Sequence, residues 1–216
     1  AVRTTRSTDG LVLSAAEEAL HRAVAASRLT LEVRGLGGLL AWSPRGVFVT
    51  EGAEDSGMID IRDAETGESV HSFPGHERDV NDVAFSPDGS LLATTGDDQT
   101  LNVWDASTWQ LVSSVSGEGD RGTWGPSFSA DGSLVAASFN AGDPDGSGIV
   151  GQVEVLEVAT GRVVSKIQVP NSIDTALSPD GRQVAVASFW SGLPEESGAG
   201  GVFDVRTGDE VFGFER

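Results

Sequence analysis

One stretch of this 216-residue chain has the spacing of a metal loop. Asp143-Pro144-Asp145-Gly146-Ser147-Gly148, followed after five further residues by Glu154, fits D-x-[DN]-x-[DNS]-G-x5-E. In such a loop the side-chain oxygens of Asp143, Asp145 and Ser147, the carbonyl of Ile149 and a bidentate Glu154 surround Ca2+. The flanks oppose that reading, because they alternate as strands, Pro144 stiffens the loop and a sheet fixes the direction of Glu154. The competing reading is an acidic, turn-rich loop with no cofactor, and both stay open. Other chemistry has less to work with. His21, His71 and His76 fall on an expected helix, an outer strand and a turn, and no two converge by spacing. No G-x-S-x-G elbow follows a buried strand and no G-x-x-x-x-G-K-[ST] is present. The absence of cysteine excludes disulfides, thiolate metal centres and thiol catalysis together. The chain reads as noncatalytic.

Charge narrows the partners. Lys+Arg number 14 against 33 Asp+Glu, a formal net charge of −19, which repels a polyphosphate backbone instead of releasing its counterions. Nucleic acid is therefore not expected as a direct partner. No run of about 18 apolar residues occurs, and the start Ala1-Val2-Arg3-Thr4-Thr5 lacks the apolar core of a secretory signal, so a cytoplasmic chain is expected. Ala1 stands where an initiator Met would, the mark expected of a piece of something longer.

The elements that position these residues change type near Leu29. In residues 1–28, Ser14-Ala15-Ala16-Glu17 has the form of a capping box, and Leu20, Ala23, Val24 and Ser27 recur at helical spacing, which predicts a helix over 14–27. Leu29, Leu31 and Val33 then alternate with polar residues as a strand. The remainder repeats. Trp42-Ser43-Pro44-Arg45-Gly46, Phe85-Ser86-Pro87-Asp88-Gly89, Phe128-Ser129-Ala130-Asp131-Gly132 and Leu177-Ser178-Pro179-Asp180-Gly181 place their serines 43, 43 and 49 residues apart. Proline pre-sets φ and glycine accepts positive φ, so each turn joins two antiparallel strands. A third strand follows in each unit, at Ile59–Asp63, Leu101–Asp105, Val153–Glu157 and Val202–Val205. Thr66-Gly67, Thr160-Gly161 and Thr207-Gly208 turn the chain into a fourth strand, as in Ser69–Phe73 and Val211–Phe214. Four strands in each of four units predict an all-β fold.

Gly75-His76, Val83-Ala84-Phe85-Ser86-Pro87-Asp88-Gly89, Asp97-Asp98-Gln99-Thr100 and Val103-Trp104-Asp105 together resemble a complete WD40 repeat. The resemblance extends over residues 29–216. In the other units the Trp-Asp pair reads Arg62-Asp63, Leu156-Glu157 and Asp204-Val205, and none has its own Gly-His. The resemblance implies β-propeller blades over about 36–76, 77–117, 118–169 and 170–216. It further implies a structural hydrogen-bond network of His76, Thr94 or Thr95, Asp98 and Trp104. The helix leading into the repeats, Glu17-Glu18-Ala19-Leu20-His21-Arg22-Ala23-Val24, is similar to a junction in large actinobacterial signalling proteins. That likeness implies a noncatalytic scaffold or sensor module, with a ligand- or Ca2+-sensing propeller as the alternative.

Two expectations about surfaces follow. With the strand at 29–33 one outer strand is left over, and at ~43 residues per blade a ring of seven needs about 300 residues. The chain thus resembles part of a larger ring, a compact four-bladed ring being the alternative, and open blade edges invite self-association. From turn serine to the acidic end of the third strand the distances are 20, 19, 28 and 26 residues, so the third and fourth units carry insertions near 139–151 and 189–200. On WD40 blades both loops fall on the face opposite the S-P-D-G turns. Phe139, Asn140, Phe189, Trp190, Leu193, Glu195 and Glu196 would then form an apolar floor with acidic walls, suited to a basic, partly apolar face of a protein or of another domain of the same parent chain.

Overall fold

The computed structural model describes residues 40–52, 57–142, 149–188 and 200–213. They belong to one unit, Gly35–Arg216, while Ala1–Arg34 separates as another. The expected helix over 14–27 and strand over 29–33 lie outside the described residues.

Four antiparallel sheets of four strands follow one another along the chain. The first is built from β1 (Leu40–Trp42), β2 (Val47–Glu51), β3 (Met58–Asp63) and β4 (Ser69–Pro74). The second comprises β5 (Val80–Phe85), β6 (Leu91–Gly96), β7 (Thr100–Asp105) and β8 (Leu111–Ser116). β9 (Thr123–Phe128), β10 (Leu134–Gly142), β11 (Ile149–Glu157) and β12 (Arg162–Gln168) make the third. The fourth contains β13 (Ser172–Leu177), β14 (Gln183–Ser188), β15 (Gly201–Asp204) and β16 (Glu210–Gly213).

The turns between first and second strands show why this sequence folds locally. The Asp88 carboxylate accepts from Ser86 Oγ at 2.7 Å, Ser90 N–H at 2.9 Å and Ser90 Oγ at 2.7 Å, and Gly89 takes φ +68°. These donors hold Asp88 at about 2, well below the usual carboxylate value, and Asp131 sits at about 2 in the same setting. In the first sheet Arg45 replaces the aspartate and instead reaches the next turn, its Nε donating to the Asp88 carbonyl at 3.0 Å.

Neighbouring sheets pack through alternating residues. Val49 and Ile61 of the first sheet meet Val83, Leu92 and Trp104 of the second. Ala93 and Val103 of the second meet Val135, Ala137 and Leu156 of the third, and Val153 and Val155 of the third meet Val184, Val186 and Phe203 of the fourth. Sheet-to-sheet packing therefore follows chain order, through β1 on β5, β5 on β9 and β9 on β13. No packing of that extent joins the fourth sheet to the first among the described residues. The positions matching Val49, Ala93 and Ala136 on the fourth sheet are held by Ala185, which is half-buried where its counterparts are buried.

Two expectations are corrected here. The two ends of the insertion near 139–151, residues 139–142 and 149–151, form a hairpin extension, since β10 and β11 run nine residues each and keep pairing through Phe139↔Gln152 and Asn140↔Gly151 to Gly142↔Ile149. The Trp-Asp position of the fourth sheet is Phe203-Asp204, one residue earlier than the sequence suggested. Gln183 pairs with Asp204 as Leu91 pairs with Asp105, and Asp204 caps its turn by accepting from Arg206 and Thr207 N–H.

Candidate functional site

A connected polar arrangement lies in the second sheet, facing the first. Trp104 Nε1–H donates to Thr94 Oγ1 at 3.0 Å, and Thr94 Oγ1 lies 2.8 Å from His76 Nε2. His76 Nδ1 lies 3.0 Å from Asp98 Oδ1, whose second oxygen accepts from Glu77 N–H at 2.8 Å. One proton order satisfies every member. The indole donates to the threonine, the threonine hydroxyl donates to Nε2, and Nδ1–H donates to the aspartate. The ladder explains the convergence: Leu92 pairs with Trp104 and Thr94 with Asn102, which puts Thr94 and Trp104 on one face two residues apart.

Burial lowers the His76 pKa below 6.5, and the hydrogen bond and charge of Asp98 only partly offset it, so the ring is neutral at pH 7. Burial pushes Asp98 up, but bonds from Thr100, His76 and Glu77 N–H outweigh it and hold the carboxyl below its usual value. A neutral imidazole with both nitrogens engaged and its side chain out of solvent is a strut, not an acid or a base in contact with substrate.

Of the two threonines, Thr94 belongs to the chain, while Thr95 Oγ1 donates to the Asp82 carbonyl. Sequence reasoning missed Thr100, whose hydroxyl lies 2.8 Å from His76 Nδ1 and donates to Asp98 Oδ1 at 2.6 Å. It also missed Asn102, which donates to the Gly75 carbonyl and accepts from Ser114 Oγ. The signal for Thr100 was its place two residues after Asp98.

The expected partner floor is not assembled as the sequence suggested. Phe139 and Asn140 are 3% and 5% exposed. Phe139 packs in the seam with the second sheet, and Asn140 Nδ2 donates across the next seam to the Ser172 carbonyl at 2.7 Å. Continued strand alternation sends them to opposite faces, so they pack the seams instead of forming an accessible floor. Phe189, Trp190, Leu193, Glu195 and Glu196 lie outside the described residues, as do Asp143, Asp145 and Ser147. Glu154 is described and is 1% exposed. One of its oxygens accepts from Lys166 Nζ at 2.6 Å and from Gln152 Nε2 at 2.9 Å, so it meets a cation from its own sheet.

Residues 67–105, which hold this polar chain, match the family model described as WD domain, G-beta repeat. The protein carries a WD40 repeat in a β-propeller-like fold. The meiotic recombination protein rec14 of Schizosaccharomyces pombe is 35% identical over 83 residues, 38% of this chain and 27% of that protein. The WD repeat-containing protein SL1-17 of Schistosoma mansoni is 46% identical over 57 residues, covering 26% of this chain and 19% of its own. A guanine nucleotide-binding protein subunit beta of Oryza sativa subsp. indica is 36% identical over 92 residues, 40% of this chain and 24% of the subunit. The chain thus spans about a quarter or less of those relatives. They are eukaryotic and lend no support to the actinobacterial junction. Among solved structures, a chain of the mitotic checkpoint complex aligns at TM-score 0.65 and 15% identity, over 85% of this chain and 52% of that one. Hydrazine synthase of Kuenenia stuttgartiensis aligns at TM-score 0.62 and 20% identity, over 79% and 51%. At such identities the likeness is one of fold.

Proposed function

We propose that this chain is a noncatalytic interaction scaffold, a set of WD40 blades that docks a protein or another domain of its own parent chain. WD40 repeats generally serve as noncatalytic protein-interaction scaffolds. The observation that carries the reading is the state of His76. His76, Thr94, Asp98 and Trp104 are internally satisfied and largely buried, which leaves recognition to exposed loops and strand edges. A cytoplasmic, bacterial signalling setting and a place within a larger ring extend the same reading, and their support is the sequence pattern alone. No described helix is long and apolar enough to cross a membrane.

The docking surface in this proposal is the loop over 189–200, where Phe189, Trp190 and Leu193 adjoin Glu195 and Glu196. Aromatic anchors inside a charged rim are the composition of binding hot spots, each worth about 2 kcal/mol or more. Such a surface suits a basic, partly apolar partner, with an association rate that falls as salt rises. The test replaces Trp190 and Leu193 together by Ser and compares affinity for the parent protein's other domains. The proposal expects about a tenfold loss or more with the circular dichroism spectrum unchanged. Unchanged affinity alongside an intact fold refutes the loop as the docking surface. The alternative, calcium sensing, would draw on Glu154, one of whose oxygens is taken by Lys166 and Gln152 while the other is buried without a partner.

A further inference from the structure

β8 differs from the other outer strands. β4 carries His71 and ends in Pro74, β12 carries Arg162 and Lys166, and β16 begins at Glu210. Such residues blunt a sheet edge against pairing with foreign strands. β8 reads Leu-Val-Ser-Ser-Val-Ser, with neither charge nor proline, and its Leu111 and Val112 are exposed. It is the last strand of its sheet, so one row of its N–H and C=O groups is free of the ladder.

Two cavities flank the C-terminal end of this edge, one in each neighbouring seam. Toward the first sheet lies a cavity of about 460 Å3 that includes Ser114, Ser116, Asn102, Asp98 and Glu77 in its wall. Toward the third sheet lies one of about 180 Å3 with Gln99, Glu118, Gly119 and Phe139. Each presents a carboxylate from an exposed residue, Glu77 on one side and Glu118 on the other. The smaller cavity adds an independent sign of a missing ligand. Gln99 is buried, and its Nε2 donates to the Asn140 carbonyl at 3.2 Å, which fixes the amide orientation. Its Oε1 is then a buried acceptor with no partner in the wall of that cavity, and the backbone at Gly117 and Gly119 passes it so closely that a side chain at either would collide. Buried acceptors left unmade are costly, and a donor from outside relieves the cost.

We propose that the C-terminal half of β8 accepts an extended polypeptide segment by strand addition, and that the segment carries two adjacent basic residues. Successive side chains of a strand point to opposite faces. A segment paired along the end of β8 therefore sends one basic side chain toward Glu77 and the next toward Glu118 and Gln99 Oε1. Backbone pairing supplies the affinity and the two cavities supply the specificity. The 160–161 turn of the third sheet lies beside Ser113 and the Ser114 carbonyl, which confines the pairing to the strand's last residues. The net charge of −19 favours a cationic segment over a neutral one. This site is separate from the 189–200 loop and stands or falls without it.

The probe is the synthetic peptide acetyl-Val-Thr-Arg-Arg-Thr-Val-amide, titrated into the whole chain and followed by amide NMR and fluorescence anisotropy. Expected are shifts centred on Val112–Glu118, about a tenfold weaker affinity when both arginines become glutamine, and a similar loss when alternate peptide nitrogens are methylated. Glu77→Lys and Glu118→Lys, both at exposed positions, should each weaken binding with the fold unchanged. No binding at millimolar peptide, shifts mapped to another surface, or undiminished binding of the N-methylated peptide overturns the proposal. The last result would mean a merely electrostatic association.

Discussion

At three matched positions the second sheet carries Thr94, Trp104 and Asn102, where the third carries Ala137, Leu156 and Glu154. The match is fixed by register, since Leu92 pairs with Trp104 as Val135 pairs with Leu156, and Thr94 pairs with Asn102 as Ala137 pairs with Glu154. Both sets face the preceding sheet. In the second sheet a directed chain of hydrogen bonds fills that seam, and in the third Ala137 and Leu156 fill it by apolar contact, just as fully buried. The Asn102–Ser114 bond has its counterpart in the Glu154–Lys166 ion pair. The seam must be filled, and either chemistry fills it. A polar chain therefore need not mark an active site. Here it marks the one unit whose residues kept the full pattern.

The largest effect expected from breaking this comparison is on the apolar side. Leu156→Ala opens a cavity at a fully buried site and should cost about 3 kcal/mol in urea unfolding. Thr94→Val is nearly isosteric but strands the Trp104 N–H and His76 Nε2, and should cost about 2 kcal/mol. If Thr94→Val costs nothing, the polar chain is not a strut. Smaller still is the response of Trp109→Gly. Trp109 takes φ +57° at the turn position that Gly67, Gly161 and Gly208 fill elsewhere, and its ring stacks near His71 and Phe73 of the first sheet. Relief of backbone strain and loss of ring packing oppose each other, leaving a net loss of about 1 kcal/mol. A clear gain in stability would show that the Trp109 ring does not tie the two sheets together.

The sequence carried the local parts of this structure and hid the non-local ones. The S-x-D-G turns were legible because each closes on itself, with Ser, Asp and Gly acting within a few residues. His76, Thr94, Asp98 and Trp104 were legible through the family pattern. Phe139 and Asn140 were misplaced because an insertion and a strand extension look alike until the partner strand is known. Phe203-Asp204 was misread by one residue for the same reason, since only pairing with Gln183 and Val184 sets it. Gln99 and Trp109, both at positive φ without being glycine, gave no sequence signal, because tertiary contacts hold them there.

Acid should separate the carboxylates by setting. Asp88, Asp105 and Asp131, each held at about 2 by turn donors, contribute stability that is present above the unfolded value near 3.8 and lost as pH falls toward 2. Carboxyl NMR titration reads their values directly, and ordinary values would mean the turn bonds are absent in solution.

The scaffold reading rests most directly on His76 being a neutral strut. Its folded pKa lies below 6.5, so the stability it contributes is present above pH 6.5 and lost as pH falls through the folded value. Imidazole NMR titration of the whole chain decides the matter. The account predicts a pKa clearly below 6.5 with the proton on Nδ1 throughout the neutral range. A value at or above 6.5, with free exchange between tautomers, would contradict it and reopen His76 as an acid–base residue.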